Sequence, residues 1–162
     1  FIYLFWGWMV VAAALLQYLL LYLEVEKHYY AWFIMILGGI FTGFYHWKKD
    51  TKMNMPLSGR ILGYIWSITG VNIFAIAFLL PRMAGDWLLF IILAFVGLAT
   101  VVSGALFRFR IMILGGILCN ALAFASLFIP YFYWGLLSIA AVVFADLIPG
   151  YVLRAKYQNQ NV

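Results

Sequence analysis

Asp146, Asn120 and Asn72 are the side chains in the apolar part of this sequence whose types and placing could do chemistry. A carboxylate inside an apolar helix costs at least about 2.5 kcal/mol on insertion scales, so it is normally paired, protonated or turned into a protected cavity. Asp146 is followed by Pro149 and Gly150. Proline has no N–H for the carbonyl of Ala145 and clashes with it, so the sequence predicts that the helix kinks or ends there, Gly150 tolerating the irregular backbone. Two readings follow. Either Asp146 marks an intramembrane site, or the break ends the span and leaves Asp146 near enough to the interface to reach water or Arg154. Asn120 lies roughly 14 Å in from Ile111, Asp146 roughly 12 Å in from Arg154, and Asn72 roughly 18 Å in from Arg60, at about 1.5 Å per helical residue. These depths overlap, so the three groups form a candidate mid-membrane polar site. Asn-to-carboxylate hydrogen bonding of this kind is also ordinary glue between helices, worth about 1 kcal/mol or less.

Other chemistry lacks its residues. His28 and His46 fall near opposite ends of their apolar run, too far apart to ligate one haem, and Cys119 is the sole cysteine. A metal centre of three or four ligands cannot be built from one cysteine and one intramembrane carboxylate, so neither a metal nor any other cofactor is expected. Ser58, Gly59 and Arg60 do not make a nucleophile elbow, and the sequence has neither a glycine-rich phosphate loop nor paired metal-binding histidines at helical spacing. A membrane hydrolase would need an acid and a base together, and Asp146 has no ionisable partner at its depth. No catalytic residue is assigned, and the chain is not expected to be an enzyme.

The elements that must carry these residues are long apolar runs. Of 162 residues, 68% are hydrophobic and only 9% charged, where a soluble domain of this length carries about a quarter charged. Mean hydropathy is +1.05. Runs of 18 or more apolar residues suit roughly 30 Å of hydrocarbon, in which only helices or closed barrels satisfy their backbone. Period-two alternation is absent, so the runs read as helices, at about residues 1–23, 29–47, 59–80, 87–107, 111–129 and 134–154. Residues 1–162 thus read as a single polytopic transmembrane domain. Phe1 is not a methionine, which suggests that a segment precedes it.

Orientation follows from the basic residues, since cytoplasmic loops carry the Lys/Arg excess. Lys48, Lys49, Lys52, Arg60, Arg108, Arg110, Arg154 and Lys156 fall on one side of six spans, and Lys27 and Arg82 on the other. The expected fold is an all-α membrane protein of six transmembrane helices with both N- and C-termini cytoplasmic. Aromatics suit this arrangement: Tyr3, Trp6, Trp8, Tyr64 and Trp66 belong to a cytoplasmic girdle, and Tyr18, Tyr30, Trp32, Trp87, Tyr131 and Trp134 to the opposite one, although either girdle could also cage a cation. The net charge of +5 is then a topology signal, and no domain is present to bind nucleic acid.

The heptapeptide IMILGGI occurs twice, at Ile34–Ile40 and Ile111–Ile117. A three-span repeat unit would place its second copy upside down, the 3+3 inverted repeat with which many transporters build a site. Small residues at helical spacing mark where backbones can approach closely: Gly39 and Gly43, then Gly59, Gly63 and Ser67, then Gly115, Cys119 and Ala123, and finally Ala141 and Ala145. Most of these stripes should serve packing within the chain, and one could join two copies in a homo-oligomer.

The opening LFWGWMV of Leu4–Val10 and the closing IPGYVL of Ile148–Leu153, followed by Arg154, resemble uncharacterised bacterial six-span membrane proteins. The resemblance covers the two ends only. It implies the bacterial inner (plasma) membrane as the location and brings no activity, ligand or catalytic residue. Two functions remain open: a non-enzymatic membrane component acting through contacts with lipid, a partner or itself, and a small-solute or proton-coupled transporter with a site around Asp146.

Overall fold

A computed structural model describes residues 2–25, 28–50, 57–79 and 85–159. Its elements are α1 (Ile2–Tyr22), a 3-10 segment (His28–Phe33), α2 (Ile34–Asp50), α3 (Leu57–Leu79), α4 (Leu88–Leu106), α5 (Arg110–Ser126), α6 (Trp134–Val142), a π-helical turn (Val143–Leu147) and α7 (Ile148–Asn159). Among the described residues there is no strand. Four stretches, Tyr3–Tyr22, Leu57–Leu79, Gly85–Leu106 and Tyr131–Lys156, are long and apolar enough to cross a membrane, while Tyr30–Phe44 and Arg110–Ser126 are shorter apolar helices. Lys27, Lys52 and Arg82, which contribute to the charge asymmetry of the sequence, lie outside the described residues.

The ends of the helices have local causes. α1 and α4 both close in Schellman turns: Val25 N–H donates to the Leu20 carbonyl and Glu24 to Leu21, and likewise Phe109 to Gly104 and Arg108 to Ala105. The residue after the cap must then adopt a left-handed conformation, which glycine takes most readily. Here it is Glu24 (φ 55°) and Arg108 (φ 51°), each at a steric cost of roughly 1–2 kcal/mol. α5 stops at Ser126, three residues short of the expected limit, because the residue before Pro130 is steered away from helix. The second run, expected as one helix, opens instead in the 3-10 form. There side chains at i and i+3 eclipse, and Tyr30 meets Phe33 with ring centroids 5.5 Å apart while Phe33 meets Phe78 of α3 at 5.1 Å.

The core lies between α4, α5 and α6 and consists of Leu89, Leu93, Cys119, Ala123, Ala141 and Ala145, with Phe90, Leu122 and Trp134 packed against it. Small residues bring the backbones together. A Cβ built on Gly116 would lie 2.8 Å from the Gly97 carbonyl oxygen, and one on Gly104 would lie 2.7 Å from the Ile113 nitrogen. Gly115 leaves no room at all, since a Cβ there would collide with the Phe144 carbonyl oxygen. α1 covers α6 and the π turn through Gly7, Ala13 and Ala14. α2 rests on α1, and α3 touches α4 along one side with Thr69 as its buried residue.

At one end of the bundle Tyr3, Phe109 and Leu153 come together. At the other, the Trp32 indole donates to Gln17 Oε1 (2.6 Å) and Gln17 Nε2 donates to the Tyr131 hydroxyl (3.2 Å), tying α1 to the His28–Phe33 segment and to a second 3-10 turn, Tyr131–Tyr133, that leads into α6. Gln17 is buried, so this tie fixes that end of α1 against its neighbours.

Candidate functional site

Pro149 shapes the surroundings of Asp146, but differently from the expected kink or break. The helix does not stop at Pro149 and Gly150; it runs on as α7 to Asn159. The irregularity lies one turn earlier, where the Ile148 N–H donates to the Val143 carbonyl five residues back. This widening accommodates the missing N–H and the bulk of the proline ring. It also strips the Phe144 carbonyl of both helical donors, because Ile148 is engaged with Val143 and the next nitrogen belongs to Pro149. That carbonyl is the one that meets Gly115, where a bare Cα lets α5 approach it and supply weak Cα–H···O contact.

Asp146 sits inside the π turn, 5% exposed. Its Oδ1 has no hydrogen-bond partner, and no other charged side chain among the described residues acts on it. The alternative expectation, a carboxylate near water or Arg154, does not hold: Asp146 is buried and Arg154 is exposed. Gly7 of α1 faces it, a built Cβ there falling 3.5 Å from the Asp146 Cβ. Cys119 is buried in the adjoining core, its thiol donating to the Leu93 carbonyl at 3.5 Å.

The amides go elsewhere. Asn120 Nδ2 donates to the Gly116 carbonyl of its own helix (2.9 Å) and faces Gly97 of α4. Asn72 Nδ2 donates to the Ile68 carbonyl of its own helix (2.8 Å), on a helix that packs mainly against α4. Neither donates to Asp146 among the described residues. The same habit extends to Thr42, Thr100, Ser103, Ser126 and Ser138, each bonded to a carbonyl three or four residues back on its own helix. In hydrocarbon a polar group must find a partner, and the preceding turn offers one without a second helix.

A set of polar and aromatic groups that the sequence did not single out meets between α1, α3 and α4. Tyr3 and Trp66, expected in the interfacial girdle, turn inward. Their rings meet edge to face with centroids 5.9 Å apart, the Trp66 indole donates to Ser103 Oγ (3.1 Å), and Ser103 Oγ donates to the Ala99 carbonyl (2.6 Å). The Tyr3 hydroxyl is buried beside Ser103 and Trp66. Ser103 is the one clue the sequence carried, a hydroxyl in the most apolar run with small residues Ala99 and Gly104 about it. Chemically, the arrangement is a lone carboxyl that can hold a proton or accept a hydrogen bond, beside a Tyr–Trp–Ser cluster joining α1, α3 and α4.

Comparison of the chain with protein-family models, with curated proteins and with solved structures finds no match.

Proposed function

We propose that the chain is a six-span protein of the bacterial inner membrane, with the Tyr3 end of α1 and Arg154 on the cytoplasmic side, that acts without catalysis through contacts with lipid, a partner or a second copy. The dispersal of its mid-depth polar groups carries this reading: Asn72 and Asn120 each donate to a carbonyl of their own helix and not to Asp146, whose Oδ1 has no partner. A solute site requires several polar groups converging on one volume. Outward-facing apolar side chains on α2 and α3, such as Leu37, Phe44, Ile68 and Val71, offer the large surface that contacts with lipid or protein would use.

One observation favours a small-solute or proton-coupled carrier instead, namely the unpaired, buried Oδ1 of Asp146, since intramembrane carboxylates recur in proton relays. Proteoliposomes with an imposed pH gradient separate the two. The contact reading expects proton flux equal to that of empty vesicles for both the parent and Asp146→Asn; flux in the parent that Asp146→Asn abolishes would establish the carrier. Orientation is tested by thiol labelling of Thr51→Cys and Asp86→Cys, which should react from opposite faces.

A further inference from the structure

A shallow cleft opens at the end of the bundle where Phe109 and Leu153 meet Tyr3. It is lined by Tyr3, Phe109, Met112, Pro149, Gly150 and Leu153 and is apolar throughout. Its shape has local causes. Pro149 and Gly150 form a buried floor with no long side chain to fill it, and the left-handed turn at Arg108 swings Phe109 to the edge. Three arginines are chain neighbours of the lining residues: Phe109 is flanked by Arg108 and Arg110, and Leu153 is followed by Arg154. All three arginines are exposed. Of the acidic residues described, Glu24 and Asp86 belong to the other end of the bundle, Asp50 ends α2, which packs on α1, and Asp146 is buried beneath the Pro149 turn.

We propose that this end of the bundle binds a phospholipid of net negative headgroup, its upper acyl segment passing over the shallow apolar cleft and its phosphate held by Arg108, Arg110 and Arg154. Guanidinium groups match phosphate oxygens in pairs and are less strongly hydrated than ammonium, and basic pockets between membrane helices hold anionic headgroups. A zwitterionic choline lipid brings the same phosphate but adds a cation that three arginines repel. The inference rests on the membrane reading above and not on its sidedness, because either interface supplies lipid.

Native mass spectrometry of the detergent-purified chain, titrated with phosphatidylglycerol or phosphatidylcholine, tests it. Phosphatidylglycerol is expected to bind in preference, with each arginine contributing about fivefold. Arg108→Gly is the cleanest single variant, since glycine suits the left-handed turn and the fold should be kept or improved. Arg108→Gly with Arg110→Gln and Arg154→Gln should abolish the preference between the two lipids. Leu153→Trp, which fills the cleft and keeps every charge, should weaken phosphatidylglycerol binding as well. Inorganic phosphate at matching concentration should not displace the lipid. Equal retention of the two lipids by the parent, unchanged preference in the triple variant, or displacement by inorganic phosphate would each overturn the proposal, as would a dimer that persists after delipidation and shields the arginines. Failure of the thiol-labelling experiment alone would revise the topology and leave the lipid preference standing.

Discussion

The two copies of IMILGGI share every residue and little of their surroundings. In α5 both glycines are closed off, Gly115 against the Phe144 carbonyl and Gly116 against Gly97 and Val101 of α4. In α2 the equivalent of Gly115, Gly38, receives Met9 and Trp6 of α1, while Gly39 has no atom within 4 Å of a built Cβ, and neither does Gly43 beyond it. The small-residue stripe of α3 is just as open at Gly63, whereas Cys119, Ala123, Ala141 and Ala145 are fully buried. A small residue therefore only permits close approach. Whether a helix arrives depends on a matching surface opposite, and α4 supplies one in Gly97 and Gly104 where nothing among the described residues supplies one for Gly39. The α4–α5–α6 core is a set of interlocked backbones; α2 and α3 are attached along one side each.

That contrast can be broken in graded steps. The largest effect belongs to Gly115→Ala: its methyl meets backbone that cannot give, so the bundle should lose about 3 kcal/mol, read as unfolding free energy in mixed micelles. Gln17→Leu takes the acceptor from the Trp32 indole and the donor from Tyr131, and should cost about 2 kcal/mol by the same measurement. A smaller change of opposite sign is expected for Asp146→Asn, which keeps the shape of a carboxyl lacking a partner and removes its charge; it should stabilise by about 1 kcal/mol. At the foot of the series, Gly39→Ala repeats the Gly115 experiment's chemistry on the open copy of the heptapeptide and should shift stability by no more than about 0.5 kcal/mol. If Gly39→Ala were as damaging as Gly115→Ala, α2 would have a partner that the isolated chain does not contain.

Much of the fold was legible because hydrocarbon leaves the chain so few options. An apolar run must be helical, so the positions of the helices followed from where charged and proline-bearing breaks fall, and the Arg108–Arg110 break indeed becomes a tight turn. The candidate site was less legible. Depth arithmetic sets the height of Asn72, Asn120 and Asp146 along the bundle but not the direction in which each faces, and every asparagine in a helix has its own carbonyl four residues back as a competitor. Pro149 signals an irregular turn, but that the Phe144 carbonyl it frees stands opposite Gly115 is a tertiary match that no local pattern records. Tyr3 and Trp66 look like interfacial aromatics by type and position, and only the hydroxyl of Ser103 across the bundle explains why they turn inward.

The claim on which this account depends most is that the mid-depth polar groups act separately. A double-mutant cycle between Asp146→Asn and Asn120→Ala, with unfolding free energy measured for the parent, both single variants and the pair, tests it directly. Separate groups predict additive effects, with coupling below about 0.5 kcal/mol. Coupling above about 1 kcal/mol would mean that Asn120 and Asp146 share one hydrogen-bonded site, contradicting the dispersal described here and favouring the carrier.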